Sequence, residues 1–185
     1  MMIHPLADVQ CRNIGEDTNV WQYAVILPGA VIGRNCNINC HTFIENDVVI
    51  GNNVTVKTGT NVWDAIRIED DVFLGPNVVF ATDPTPRSKK SVSYPVTTIK
   101  QGASLGSNTT VLPGITIGKY AMTGAGSVVT KDVPDFALVY GNPAQRHAWI
   151  DEAGKKLQHL SGNEWLSETG SRFEQIGEIL VKKSD

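Results

Sequence analysis

His41 is the side chain in this sequence best suited to accept a proton near neutrality. An imidazole titrates close to pH 7, so a histidine held at a surface can take a proton from an attacking nucleophile. A second group of reactive side chains gathers in ATDPTPRSKKSVSYPVTT, residues 81–98, where Asp83 precedes Arg87, Lys89 and Lys90. Clustered guanidinium and ammonium groups suit phosphate oxygens. Between these groups, Trp63 offers a stacking face and Asp64 an acceptor. Metal chemistry finds little support. The histidines His4, His41, His147 and His159 are scattered over both ends and the middle of the chain, whereas a three-histidine zinc centre needs ligands on adjacent elements.

The element that must position these groups is legible as a beat. From Ile14 an aliphatic or aromatic residue returns at every sixth position through Val20, Ile26, Ile32, Ile38, Ile44, Ile50, Val56, Val62, Ile68 and Leu74 to Phe80. The beat lapses over residues 81–98, resumes at Ile99, Leu105, Val111 and Ile117, skips Thr123 and returns at Val129. Two positions before most of these stands a small or β-branched residue, such as Ala30, Cys36, Thr42, Val48, Val54 or Thr60. Both classes must point inward. Strand side chains alternate faces, so a period of six requires three short flat faces per coil with a corner after each. On a helix the same spacing drifts around the axis and makes no single face.

The expected fold is all-β: a left-handed parallel β-helix of about four coils before the interruption and about two after it, with roughly 18 residues per coil. Residues 1–144 form this domain, with 81–98 inserted as a loop, and 145–185 form a small C-terminal β-hairpin extension. In that extension WIDEAGKKL (Trp149–Leu157) and WLSETGSRF (Trp165–Phe173) share one form, read as two hairpins turning at Ala153-Gly154 and Thr169-Gly170. An amphipathic helix is the competing reading of the first. Neither turn carries thiolates, so packing by Trp149, Leu157, Trp165 and Phe173 replaces zinc as the expected glue.

Composition narrows the setting. A net charge of -3 over 185 residues, without a basic patch, argues against nucleic acid, and no apolar run is long enough to cross a bilayer. Cys11, Cys36 and Cys40 do not form a disulfide framework, which fits a reducing cytoplasm.

The stretches NINCHTFIENDVVIG, NVWDAI, FLGPNVVFATDPTPRSK, GASLGSNTTVLPGITIG, GAGSVVTKDVP and GNPA resemble the hexapeptide-repeat N-acetyltransferases of nucleotide-linked amino sugars. The likeness is strongest to enzymes acting on the 3-amino group of dTDP-3-amino-3,6-dideoxyhexoses, used for surface polysaccharide and O-antigen sugars. Next come those acting on UDP-2-acetamido-3-amino-glucuronate. Thr82 stands where such relatives commonly carry asparagine. A hydroxyl cannot replace both the donor and the acceptor of an amide.

The resemblance implies acetyl-CoA as co-substrate without a metal, a homotrimer with active sites between subunits, and a cytoplasmic enzyme. His41 would be the general base, and Asp83 would hold the amine or a sugar hydroxyl. Glu45, Asn46, Trp63, Asp64, Thr82 and Arg87 would contact the nucleotide sugar. Ala103, Ala121, Gly124 and Gly126 would admit the pantetheine arm, while Thr130, Lys131 and Arg146 would meet the nucleotide end of CoA. The competing functions are a UDP-linked amino-uronate acetyltransferase and a non-catalytic β-helix scaffold. A scaffold would favour an unbroken ladder of one exposed residue type, and the interrupting loop speaks against it.

Overall fold

A computed structural model describes residues 1–90 and 92–183. Ser91 of the expected loop and the last two residues of the extension lie outside the described residues. The described chain has no helix. It is a three-sided parallel solenoid whose faces are sheets of nine, seven and six strands, followed by a four-stranded antiparallel sheet. One coil runs Asn37–Ile38 on the first face, Phe43–Ile44 on the second and Val48–Ile50 on the third. The next coil repeats this at Thr55–Val56, Asn61–Val62 and Ile66–Ile68, each strand pairing in parallel with the one before it.

The beat residues form the axis of the core. Ile26, Ile38, Ile44, Val56, Val62 and Leu74 are fully buried, as are the small inward residues Ala30, Val54 and Thr60. Each buried aliphatic side chain of this kind contributes about 1.5–3 kcal/mol relative to exposure. Inward hydroxyls are satisfied by the corners: Thr60 Oγ1 donates to Gly75 O at 3.0 Å and accepts from Val78 N at 3.1 Å. The skipped beat at Thr123 is equally buried, and its hydroxyl meets Thr109 Oγ1 at 2.8 Å and accepts from Gly106 N at 3.0 Å. A hydrogen-bonded pair thus replaces an aliphatic layer.

The solenoid is longer than the beat implies. The second face has seven strands, so there are seven coils, and Ala137–Gly141 opens an eighth. The unexpected coil is the first, Met2–Ile3, Asp8–Val9 and Asn13–Ile14, in which Val9 and Ile14 are only five apart and break the period.

Corners turn through left-handed backbone. Between the first and second faces the turning residues are Tyr23, His41, Gly59, Asn77, Asn108 and Gly126, all with φ between 55° and 76°. Glycine and asparagine visit this region at low cost, whereas bulky residues do not.

At the far end, Ala144–Trp149 folds back antiparallel on Ala137–Gly141 and still belongs to the nine-stranded sheet. The turn at Ala153-Gly154 is closed by Asp151, whose Oδ1 accepts from Ala153 N and Lys155 N, so the first W-motif is a hairpin rather than a helix. Glu164–Leu166 and Arg172–Ile176 form the second hairpin around Thr169-Gly170. Trp149 and Phe173 are fully buried, and Trp149 Nε1 donates to Gln175 Oε1 at 2.9 Å.

Candidate active site

Most of the expected site residues fall on one edge of the prism, the corner joining the second face to the third. Glu45 and Asn46 leave the strand Phe43–Ile44 there, and Trp63 and Asp64 leave Asn61–Val62 one coil later. The following coil sends out the loop after Val79–Phe80, carrying Thr82, Asp83 and Arg87, and returns at Thr97–Ile99. Two coils on, Thr130 and Lys131 occupy the same corner, both exposed, after Val128–Val129. The loop does not disturb the register. Ile68 pairs with Ile99 across it as Ile50 pairs with Ile68 before it.

Several of these groups also hold the corner together. Glu45 Oε2 accepts from Asp64 N at 2.8 Å, Asp64 Oδ1 accepts from Asp47 N at 2.6 Å, and Asn46 Oδ1 accepts from Gly29 N at 3.1 Å. Asp47 in turn is paired with Arg67 at 2.6 Å. Trp63 is half-buried, with its ring tilted against Phe43 at 5.3 Å. In the loop, Asp83 Oδ1 accepts from Thr85 N at 2.8 Å, and Arg87 Nη1 donates to Pro86 O at 2.7 Å.

At the end of this edge lies a concavity of about 530 Å³ lined by Lys131, Asp132, Val139, Gln145, Arg146 and Glu178, among others. The fold thus gathers Lys131 and Arg146, far apart in sequence, into one cavity. Asp132 is tied down, accepting from Thr116 N at 2.8 Å, and the Arg146 guanidinium lies over the Trp149 ring at 4.2 Å from its centroid. Glu178 reaches this cavity from the hairpin between Arg172–Ile176 and Ile179–Lys182, and nothing in its local sequence marks it.

The remaining residues lie elsewhere. Gly124 and Gly126 turn the corner between the first and second faces, the same edge as His41 but several coils later. Ala103 and Ala121 are fully buried at the third corner. Their backbone N–H groups bond to Lys100 O and Gly118 O, and their carbonyls accept from Phe73 N and Ser104 N. As inward small positions the two side chains belong to the core, and each of these backbone groups already has a partner within the chain.

His41 is exposed at the corner before the second face, whereas Asp83 leaves the corner after it, two coils further on. A whole face separates them, and one subunit does not bring them together. The His41 ring stacks on Tyr23 of the preceding coil at 5.1 Å, with an interplanar angle of 25°. Sequence reasoning passed over Tyr23, although its spacing of eighteen from His41 repeats the coil length seen between Asn35 and Asn53.

Stacked six-residue faces, one polar loop thrown from a corner, and a concavity at the end of that corner lined by Lys131, Arg146, Asp132 and Glu178 are the frame of a hexapeptide-repeat protein. The chain belongs to this family: residues 13–46 and 97–131 match the bacterial transferase hexapeptide (six repeats). It is 51% identical over 179 residues to the dTDP-3-amino-3,6-dideoxy-alpha-D-galactopyranose 3-N-acetyltransferase of Aneurinibacillus thermoaerophilus, covering 96% of this chain and 93% of that one. A galactoside O-acetyltransferase of Lactococcus lactis subsp. lactis is 33% identical over 138 residues, 68% of this chain and 65% of that one. Among solved structures, a histidine-to-alanine mutant of GDP-perosamine N-acetyltransferase from Caulobacter crescentus, in complex with CoA and GDP-perosamine, superposes with a TM-score of 0.62. It is 28% identical, covering 71% of this chain and 56% of that one.

Proposed function

We propose that this protein is an acetyl-CoA-dependent N-acetyltransferase acting on the 3-amino group of a dTDP-linked 3-amino-3,6-dideoxyhexose. The observation that carries the reading is the single edge on which acceptor-type side chains, the polar loop and the Lys131–Arg146 cavity follow one another. The relative from Aneurinibacillus thermoaerophilus, matched nearly end to end, supports the dTDP-amino sugar as substrate. The solved complex with CoA and a nucleotide-linked amino sugar supports the donor.

A thioester is already activated towards a neutral amine. The enzyme's chief task is to hold the two in line, which is worth about 7–11 kcal/mol, while a general base adds roughly 10²–10⁴-fold. In the proposed step the amine nitrogen bonds to the acetyl carbon and the C–S bond breaks, releasing CoA thiolate. The nitrogen's surplus proton passes to His41. Lys131 and Arg146 pair with the phosphates of CoA, Arg87 meets the diphosphate of the nucleotide, and Asp83 orients the amine.

Because His41 and Asp83 occupy opposite edges of one face, the site needs the His41 edge of one subunit beside the loop edge of another. We infer an oligomer on this ground, and the likeness to hexapeptide-repeat acetyltransferases leads us to propose a homotrimer. We place it in the cytoplasm, where acetyl-CoA is available, and the three free cysteines support this.

Thiol release from acetyl-CoA, measured with dTDP- and UDP-linked 3-amino sugars, tests the reading. Turnover with the dTDP-amino sugar is expected. Preference for a UDP-linked amino-uronate would move the assignment to that substrate, and no turnover with any sugar amine would overturn it.

A further inference from the structure

We propose that Tyr23 is a positioning residue for His41, fixing the imidazole from the preceding coil. The proposal rests on the reading of His41 as proton acceptor. Four observations carry it. Six residues turn the corner between the first and second faces, and four of them are glycine or asparagine: Gly59, Asn77, Asn108 and Gly126. Only Tyr23 and His41, at φ 61° and 57°, place rings on this left-handed backbone. Histidine, like asparagine, visits this conformation more readily than most side chains, but tyrosine does not, so a tyrosine there whose ring touches His41 calls for a reason beyond the turn itself.

Second, the two rings are stacked, and Tyr23 remains 53% exposed, so its ring adds little to the core. Third, the other aromatic pair on left-handed corners has an evident structural use. Tyr120 and Phe136, at φ 53° and 61°, stack at 5.4 Å, and Phe136 meets Phe173 of the C-terminal sheet edge-on at 5.4 Å. That pair docks the extension, whereas the Tyr23–His41 pair docks nothing among the described residues. Fourth, none of the described hydrogen bonds reaches the His41 imidazole, although a working imidazole is usually oriented by a partner on one ring nitrogen. Ring contact with Tyr23 takes that place. The Tyr23 backbone is itself anchored, its N–H donating to Leu6 O at 3.0 Å.

The test is steady-state kinetics of the intact enzyme with acetyl-CoA and dTDP-3-amino-3,6-dideoxygalactose, comparing Tyr23→Asn, Tyr23→Phe and His41→Asn. Asparagine suits the left-handed corner and removes the ring. Tyr23→Asn is expected to lower kcat about tenfold, part of the general-base factor, with both KM values within about twofold. It should also alter the pH dependence of kcat and leave the thermal midpoint unchanged or raised. Tyr23→Phe is expected to recover most of the lost turnover. A fall in thermal midpoint with kcat unaltered would show a purely structural ring and overturn the proposal. So would loss of activity in His41→Asn without loss in Tyr23→Asn, which leaves the base assignment standing. Undiminished turnover in His41→Asn would remove the base and the proposal together.

Discussion

At the residue scale, the site combines groups with different duties. Glu45, Asn46 and Asp64 were legible as polar side chains that would contact the nucleotide sugar, but the bonds they make to Asp64 N, Gly29 N and Asp47 N were not. These contacts join different coils, and only the folded register brings them within reach. Ala103 and Ala121 show the opposite limit: a small residue in a hexad reads equally as room for a ligand or as an inward core position, and in the fold both side chains are buried. Lys131 and Arg146 are the simplest to test. A charge-assisted bond to phosphate is worth about 1.5–3 kcal/mol, so Lys131→Ala should raise the KM for acetyl-CoA roughly tenfold or more with kcat little changed. Initial-rate kinetics with the acceptor saturating would show this, and a loss confined to kcat would count against phosphate binding. His41→Asn should do the reverse, lowering kcat with the KM for acetyl-CoA preserved.

At the scale of elements, the hexad beat disclosed the solenoid because each inward position repeats at the coil period. It concealed the first coil because one corner between Val9 and Ile14 is a residue short. Ile44, fully buried in the second face, tests the beat: Ile44→Ala should cost about 2–5 kcal/mol, measurable by denaturant unfolding. The C-terminal sheet carries its own prediction. Partial burial pushes the Glu152 carboxyl up, but the hydrogen bond from Lys182 Nζ at 2.7 Å, its own backbone N–H and the Lys182 charge outweigh this and hold it below the usual range. A carboxyl lowered by folding stabilises the folded state above its unfolded value and loses that contribution as pH falls through the folded value. Hydrogen-exchange protection in Ile179–Lys182, taken relative to the intrinsic exchange rate at each pH, should therefore fall on acidification, and Glu152→Gln should abolish that part of the pH dependence. We propose the division near residue 144 with this sheet in mind, although the strand Ala144–Trp149 remains paired with the solenoid.

At the scale of the whole molecule, the separation of His41 from Asp83 makes assembly part of the proposed chemistry. Coexpression of His41→Asn and Asp83→Asn chains should restore activity absent from either alone, because roughly a quarter of randomly formed subunit contacts would carry both intact groups. A mixture as inactive as its parents would place both groups in one chain's site. Ligand binding should also register in global stability: CoA at 100 times its Kd should add about 2.7 kcal/mol, visible as a raised thermal midpoint.

The intact pairing of Ile68 with Ile99 around the loop has an engineering consequence. Because the strands on either side keep step across an interruption of this length, that edge works as a socket. On the proposed reading, acceptor preference can be exchanged there as a cassette, leaving the Lys131–Arg146 cavity and the spine of the protein unaltered.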